Sequence, residues 1–307
     1  MSDPVTVFTA AYNYGEYLHR VYRSLQAQSY KNFEWVIVDD CSTDNTNEIV
    51  QGWLQEKNDF PIRYFRQEVN KGKMAAMNRG VREAAYDLFV SCDADDELTP
   101  DALAIYMKHW DSIDDETRKG LSALVGLCED QHGELVGNKF PVNPLIADFY
   151  ETTFKYKIRG DKLEMYRTEV LKEFPYYEGV DRHVIHSATY FDMAEKYKLY
   201  CFNEIVRIYY RQEEGKVPLS MRTKKLRFLK GRQYYAQMRI NKYFPRIPSI
   251  KFKFLTFISY TRYSWHLKIS LAEMLRRIEK GKNKLAFIVI LPLSLGLILM
   301  DKIQKRA

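Results

Sequence analysis

The chain has 307 residues, and a composition of 46% hydrophobic and 28% charged residues indicates a folded protein and excludes a mainly disordered one. Its formal net charge of +7 conceals a segregation of charge. Residues 216–307 contain 22 Lys and Arg and three Asp and Glu, whereas residues 1–215 contain 25 Lys and Arg and 37 Asp and Glu. This division predicts two parts, the second of which favours a polyanion or an anionic membrane surface.

Apolar runs alternate with helical patterns over the first hundred residues. The runs that predict strands are 4–11, 35–38, 61–67 and 87–95, and an amphipathic helical pattern follows each of the first three. Such alternation predicts an α/β fold with a mainly parallel sheet flanked by helices. Ligands of such sheets bind beyond the carboxyl ends of the strands.

The second half of the predicted sheet domain is less regular. Residues 100–110 predict a helix, residues 122–137 two strands around a turn, and residues 201–212 a last strand. We therefore predict a sheet domain over 1–215, with a regular first half (1–100) and a less regular second half (101–215). Residues 216–307 are predicted to form a basic, aromatic helical tail.

Residues 285–300 form an uncharged, strongly apolar run of 16 residues between basic flanks. This run is shorter than the roughly 20 residues that span a bilayer as a helix, and Pro292 and Gly296 interrupt it. A monotopic or re-entrant insertion at an anionic membrane surface is expected. A buried helix packed on the core is the alternative, and the same basic charge would also suit a nucleic acid.

Cysteine spacing and the N-terminal residues contribute two further expectations. The four cysteines are widely separated, without the paired spacing of a zinc or dithiol site, so we expect them to be reduced. The first residues lack the basic and apolar regions of a secretory signal. The protein is therefore expected in the cytoplasm, peripheral or monotopic at the inner face of the cell membrane.

The stretch FVSCDADDEL, residues 89–98, places Asp93, Asp95, Asp96 and Glu97 directly after an apolar strand. Like charges crowded at a strand end need a positive partner. Paired carboxylates at such a turn supply the hard oxygen ligands that suit Mg²⁺ or Mn²⁺. Taken alone, an Asp-x-Asp pattern is also compatible with a solvated turn.

Four ordered stretches together resemble the family 2 glycosyltransferases, which use nucleotide-diphosphate sugars and have the fold called GT-A. The stretches are VTVFTAAYNYGEYLHRVYRSLQAQSY, FEWVIVDDCSTDNT, NKGKMAAMNRG and VSCDADDEL. The later stretches GDKLEMYRTEVLKEF and KYKLYCFNEIVRIYYRQ are similar to bacterial members, which extends the resemblance to about residue 212.

The resemblance implies that residues 1–100 form the nucleotide-sugar-binding half of the domain and residues 101–215 the acceptor half. It also implies a nucleotide pocket lined by Thr9, Ala11 and Tyr12, with Asp39 meeting the base. A carboxylate can accept the imide N–H of uracil, so a UDP-sugar donor is favoured. Asp40 is expected to be a turn or helix-start residue.

The same resemblance implies that Lys73 lies near the donor. Asp93 would meet the ribose or the metal, and Asp95 would bind the metal directly. Asp96 and Glu97 are expected to have supporting roles. A solvated helix position is the alternative for Lys73.

Members of the family invert the anomeric centre in one displacement, with an Asp or Glu as general base. Here the sequence departs from the pattern, because His186 stands where that acid is expected. The candidate bases are Asp181, then His186, then Glu178. His183 and His186 could instead form a helical metal pair, although structural histidines are the simpler interpretation.

The Gln-x-x-Arg-Trp signature of the polymerising members is absent, so transfer of a single sugar is expected. The basic and apolar tail suggests a membrane-linked glycan or lipid carrier as acceptor. The alternatives are a non-catalytic membrane scaffold that retains the fold, and a nucleic-acid-binding protein that uses the tail. We expect no nucleic-acid partner.

Overall fold

A computed structural model describes residues 3–211 and 228–303, which form two compact units. Unit 1 comprises residues 3–176 and 192–211, and unit 2 comprises residues 177–191 and 228–303. The predicted boundary between residues 215 and 216 lies outside the described residues. The division into 1–215 and 216–307 therefore stays a prediction.

The first part of the sheet in unit 1 is parallel throughout. Its strands are β1 (Val5–Ala11), β2 (Phe33–Asp39), β3 (Ile62–Arg66) and β4 (Leu88–Ser91). β1 lies between β2 and β4, and β3 pairs with the other side of β2. The four predicted strands and their parallel arrangement are confirmed.

Three helices connect these strands: α1 (Gly15–Gln26), α2 (Thr46–Gln55) and α3 (Lys73–Glu83). α1 and α2 pack on the sheet through stacked aromatic rings, since Tyr22 lies 4.4 Å from Trp53 and 6.1 Å from Trp35 between ring centroids. α3 approaches β1 so closely that a Cβ at Gly80 would lie 2.2 Å from the Phe8 ring. Glycine at position 80 therefore lets α3 lie directly against β1.

The second part of the sheet adds antiparallel pairings. Its strands are β5 (Glu97–Leu98), β6 (Leu121–Asp130), β7 (Leu145–Ala147), β8 (Lys162–Arg167) and β9 (Lys198–Tyr209). The order is β3-β2-β1-β4-β8-β6-β9-β5, with β7 also paired to β9. β8 runs antiparallel to both β4 and β6, whereas β6 and β9 are parallel. The helical elements here are α4 (Ala102–Ser112), α5 (Asp115–Lys119), a π-helical turn (Glu151–Lys155) and α6 (Thr168–Glu173).

Only the first of the two strands predicted over residues 122–137 is present, as part of β6. After it the chain makes a single β-bridge, between Glu129 and Leu135. The Asp130 carboxylate accepts hydrogen bonds from the backbone N–H groups of His132 and Glu134, both at 3.0 Å. The turn thus provides hydrogen-bond partners for these backbone N–H groups, which a second strand would otherwise have to supply.

The four cysteines are free, and Cys92, Cys128 and Cys201 are buried while Cys41 is partly exposed. The free thiols agree with the expectation that the cysteines are reduced, and the three buried ones act as small apolar side chains.

Unit 2 is helical. Its elements are α7 (Ser187–Met193), which begins in this unit, α8 (Leu229–Met238), a π-helical turn (Arg239–Tyr243), α9 (Ile250–His266), α10 (Leu271–Arg277) and α11 (Gly281–Ile303). Tyr243 donates a hydrogen bond of 2.9 Å to the Ala188 carbonyl, which ties the π-helical turn after α8 to α7. Phe287 of α11 packs against Tyr260 of α9, with ring centroids 5.9 Å apart.

The apolar run 285–300 lies within α11. In the part of the chain that the structure describes, no helix is both long enough and apolar enough to cross a membrane.

Candidate functional site

The carboxyl ends of β1, β2 and β4 meet at one edge of the sheet in unit 1. Ala11 of β1 lies opposite Asp39 of β2, and Phe8 of β1 lies opposite Ser91 of β4. Asp39 and the acidic stretch after Ser91 therefore follow neighbouring strands at the same edge, as the strand pattern predicts.

Lys73 is the first residue of α3, and its ammonium lies 2.6 Å from Asp93 Oδ1. The two side chains are 37% and 36% exposed, so a ligand can reach the pair. The positive partner that the acidic stretch requires is thus supplied in part by this lysine. Lys73 is therefore not simply a solvated helix residue.

Asp95 differs from Asp93 in its charge balance. Burial, and then the neighbouring Asp93 carboxylate, raises the pKa of Asp95 above its ordinary value. Arg20 of α1 donates a hydrogen bond to the Asp95 backbone carbonyl at 3.4 Å. Among the described residues, no side chain forms an ion pair with the Asp95 carboxylate. A cation placed at Asp95 would therefore relieve unfavourable charge.

A divalent ion fits Asp93 and Asp95 as a partial site. Within residues 3–211 and 228–303, no group of three or more His, Cys, Asp or Glu side chains is arranged to hold a metal. Mg²⁺ is commonly bound through only one or two carboxylates, and the rest of its shell comes from water and substrate phosphates. The donor set of Asp93 and Asp95 suits that arrangement.

Asp96 is held by an arginine that the sequence interpretation did not single out. Its Oδ2 lies 3.5 Å from Arg207 Nε of β9, and both side chains are buried. Its Oδ1 accepts a hydrogen bond of 3.0 Å from the Tyr210 backbone N–H. Burial raises the pKa of Asp96 to about 7, while Arg207 acts in the opposite direction. The supporting role expected for Asp96 is confirmed.

One signal could have identified Arg207: it is an arginine inside the apolar run IVRIYY of the last predicted strand. A charged residue inside a buried strand requires an opposite charge nearby.

Asp39 is fully buried at the end of β2. Its carboxylate accepts hydrogen bonds from the Ser42 backbone N–H at 2.8 Å and from the Tyr64 hydroxyl at 2.7 Å. Arg66 Nε lies 3.7 Å from Asp39 Oδ2. Burial, followed by the hydrogen bond to Asp39, raises the pKa of Tyr64, so its phenol remains a donor. These contacts leave few acceptor positions of the Asp39 carboxylate without a donor.

Asp40 anchors the loop that leads into α3. Its carboxylate accepts hydrogen bonds from the backbone N–H groups of Lys71 and Gly72, at 2.8 and 2.7 Å, and from the Gln67 side chain at 2.9 Å. The expected turn role of Asp40 is therefore confirmed. This loop fixes the start of α3, and with it Lys73.

The remaining predicted pocket residues differ in exposure. Thr9 is fully buried, and its hydroxyl accepts a hydrogen bond of 3.0 Å from the Trp35 indole. Ala11 is buried as well, while Tyr12 is 44% exposed just beyond the strand. Of these three residues, Tyr12 offers a side chain that is open to a ligand.

The candidate bases Asp181, His186 and Glu178 belong to unit 2. Asp181 Oδ2 accepts a hydrogen bond of 3.1 Å from the Gly231 backbone N–H in the first turn of α8. Glu178 is exposed, and His186 is partly exposed immediately before α7. Asp181 therefore stabilises the N-terminus of α8, whatever its role in chemistry.

His183 and His186 both precede α7, so the idea of a helical metal pair is wrong. Their rings lie 5.9 Å apart, and His183 also lies 5.6 Å from the Phe228 ring. These ring contacts favour a structural role.

Comparison with known protein families gives a match over the first part of the sheet domain. Residues 6–122 match the model described as glycosyl transferase family 2. These residues form a family 2 glycosyltransferase domain. The matched stretch contains Asp39, Lys73, Asp93 and Asp95, whereas the candidate bases lie outside it.

Curated relatives of the glycosyltransferase domain act in the synthesis of bacterial surface polysaccharides, according to their names. The putative colanic acid biosynthesis glycosyl transferase WcaA of Escherichia coli K12 is 31% identical over 105 residues, or 34% of this chain and 37% of its own length. The putative teichuronic acid biosynthesis glycosyltransferase TuaG of Bacillus subtilis 168 is 36% identical over 99 residues, or 32% and 38%. The chain thus spans little more than a third of these relatives.

Solved structures confirm the GT-A fold. Staphylococcus aureus TarS residues 1–349 in complex with UDP-GlcNAc superimposes with a TM-score of 0.58 at 17% identity, covering 90% of this chain and 82% of that one. The mannosyltransferase PcManGT of Pyrobaculum calidifontis, in complex with GDP-Man and Mn²⁺, gives a TM-score of 0.53 at 20% identity, covering 96% and 81%.

Proposed function

We propose that this chain transfers a single sugar from a nucleotide-diphosphate sugar to a membrane-linked glycan or lipid-carrier acceptor, with inversion and with Mn²⁺ or Mg²⁺. The arrangement of Lys73, Asp93 and Asp95 at the carboxyl end of β4, inside the family 2 domain, carries the proposal. The nucleotide sugars in the TarS and PcManGT complexes support a donor of this class.

The leaving diphosphate would be bound at the edge that holds Lys73 and Asp95. The Lys73 ammonium, which now neutralises Asp93, would share its charge with a phosphoryl oxygen. Asp93 and Asp95 would hold the divalent ion. The chemistry supplied there by a bound ion is stabilisation of the charge that develops on the diphosphate as the glycosidic bond breaks.

Asp39 would select the base of the donor. Ser42 and Tyr64 each donate one hydrogen bond to its carboxylate, which has acceptor capacity for about four. The remaining capacity suits the imide N–H of uracil, so UDP-sugars are the favoured donors. Tyr12, which is exposed just beyond the strand end, would form one wall of this pocket, and the buried residues Thr9 and Ala11 would lie beneath it.

The acceptor hydroxyl would be activated by Asp181, with His186 and Glu178 as the second and third candidates. One carboxylate or imidazole that removes the hydroxyl proton on the face opposite the leaving group is sufficient for a single inverting displacement. The partial exposure of Asp181 leaves it open to an acceptor, although Gly231 holds one of its oxygens.

A glycan acceptor is supported by the names of the relatives, which refer to colanic acid and teichuronic acid biosynthesis. Its link to a membrane is supported by the basic composition of residues 216–307. Such an acceptor would place the enzyme at the inner face of the cell membrane.

A donor panel tests the proposal. Binding and slow hydrolysis of UDP-, GDP- and dTDP-sugars would be measured with Mn²⁺, Mg²⁺ or EDTA, on wild type and Asp95→Asn. We expect one donor to bind and hydrolyse only with metal, and a loss of about a hundredfold or more in Asp95→Asn. Asp115→Asn, which alters a 90% exposed carboxylate of α5, is the matched control.

The alternatives give different results. Donor binding without hydrolysis or transfer to any acceptor would indicate a non-catalytic scaffold. Absence of metal-dependent binding would refute the proposal.

A further inference from the structure

Helix α11 presents two different faces. Phe287, Ser294 and Ile298 are buried within unit 2, at 0%, 0% and 2% exposure. Four large aliphatic side chains are instead more than half exposed, and we call them the apolar face of α11: Leu285 (65%), Ile288 (51%), Val289 (70%) and Leu293 (60%). Their spacing of three, four and eight residues from the first places them on one side of the helix. Single exposed aliphatic residues are ordinary, but a contiguous stripe of this kind marks an interaction surface.

The charges around the apolar face indicate its partner. Lys282 and Lys284 lie in the first turn of the same helix, and Lys280 directly precedes it. By sequence, residues 228–303 contain 15 Lys and Arg against three acids. One of those acids, Glu273, is already neutralised by Arg276 and Arg277, at 2.6 and 2.7 Å.

An anionic surface is the partner that complements this arrangement. A second copy of the chain would bring the same positive charges to the contact, and those charges would repel. A bilayer that contains anionic lipids offers both phosphates for the lysines and an apolar interior for the aliphatic side chains.

We propose that the apolar face of α11 docks unit 2 on an anionic phospholipid bilayer, with the helix axis in the membrane plane. Leu285, Val289 and Leu293 enter the boundary between head groups and acyl chains. The lysines at the start of α11 contact lipid phosphates. The buried face keeps α11 attached to α9 while the exposed face is inserted. The inference rests on the proposed function only in that a membrane-linked acceptor gives such docking a purpose.

Vesicle co-sedimentation of the full chain tests the docking. We expect binding to phosphatidylcholine vesicles that contain phosphatidylglycerol, with little binding to phosphatidylcholine alone and a loss at high salt. Val289→Asp should weaken vesicle binding by about tenfold or more. Val142→Asp, at a 56% exposed valine of unit 1, is the matched control and should bind like wild type.

The lysines give an independent measurement. Replacing Lys280, Lys282 and Lys284 by serine should weaken binding at low salt by about fivefold for each lysine. The triple variant should lose most of the difference between the two vesicle compositions.

Insertion itself can be observed in a variant that keeps the face apolar. Val289→Trp should show a blue-shifted emission and quenching by brominated acyl chains when anionic vesicles are added, and Val142→Trp should not. This measurement does not depend on whether Val289→Asp folds normally.

Two results would overturn the docking proposal. One is equal vesicle binding by wild type and Val289→Asp. The other is a wild-type dimer that Val289→Asp converts to monomer, without vesicle binding by either form, which would assign the face to a second copy.

Separate measurements test the docking proposal and the proposed function, so one can be refuted without the other. Donor hydrolysis without vesicles in Val289→Asp, together with lost vesicle binding, supports both. Wild type that binds vesicles through the apolar face but hydrolyses no donor refutes the function alone.

Discussion

Three neighbouring aspartates that follow β4, Asp93, Asp95 and Asp96, differ in how their negative charges are compensated. Asp93 has a partly exposed lysine, and Asp96 has a buried arginine from a distant strand. Asp95 has no ion pair within the described residues. Because exposed pairs contribute about 0–1 kcal/mol to stability and buried pairs leave a costly charge when broken, the three acids should respond differently to substitution.

Loss of Arg207 should be costly, because it would leave Asp96 buried without an opposite charge. We expect Arg207→Met to lower the free energy of unfolding by about 3 kcal/mol. The double variant Asp96→Asn, Arg207→Met should recover much of this loss, since neither position then carries an unpaired charge. Urea denaturation of wild type, both single variants and the double variant gives the coupling. Additive effects of the two substitutions would show that the pair is not the source of the cost.

At the scale of elements, loops anchored by single carboxylates place the candidate residues. Asp40 fixes the start of α3 in unit 1, and Asp181 fixes the start of α8 in unit 2. At α8 the approach is close, since a Cβ on Gly231 would lie 2.1 Å from the His183 carbonyl oxygen. A residue that supports a helix can thus be mistaken for a catalytic one, and the two roles need separate tests.

Substitutions at Asp181 separate those roles. Asn at position 181 can still accept the hydrogen bond from Gly231 but is not a base, whereas Ala can do neither. We expect Asp181→Asn to keep wild-type stability and to lose sugar transfer by about a hundredfold or more. Asp181→Ala should in addition lower the stability by about 1 kcal/mol. The measurements are thermal unfolding and transfer rate on the same preparations. Normal transfer by Asp181→Asn would pass the role to His186 or Glu178.

The whole molecule has a stability that should depend on pH through Glu164 of β8. Burial raises the pKa of Glu164 from its ordinary 4.5 to about 7, with Arg207 opposing. Between these values the folded chain holds a proton that the unfolded chain releases. Folding is therefore favoured by protonation, and stability falls as the pH rises from about 4.5 to 7.

We expect Glu164→Gln to remove the part of this fall that Glu164 contributes, while Asp96 keeps its own part, and to be more stable than wild type at pH 8 by about 2 kcal/mol. The two proteins should converge near pH 4.5. Denaturant unfolding at both pH values measures the difference, with the 87% exposed Glu116→Gln as control. A Glu164→Gln variant that gains nothing at pH 8 would contradict the raised pKa.

The local pattern predicted much of the first hundred residues. Strand and helix periodicities there are strong, because β1, β2 and β4 are buried in the sheet and each helix buries one stripe. The same reasoning placed Asp39, Asp93 and Asp95 at one edge, since parallel strands end together. The resemblance to family 2 glycosyltransferases added the expected roles of these residues. The match over residues 6–122 confirms the family.

Tertiary structure decided what local pattern does not encode. Arg207 reaches Asp96, and Gly231 reaches Asp181, across 111 and 50 residues of sequence. β8 enters between β4 and β6 in the antiparallel direction, and the second strand of 122–137 is replaced by a turn. Sequence alone determined which segments must be buried and where negative charge gathers. The distant partner of each buried polar group depends on which strands become neighbours in the sheet. That order is fixed only when the whole sheet is assembled.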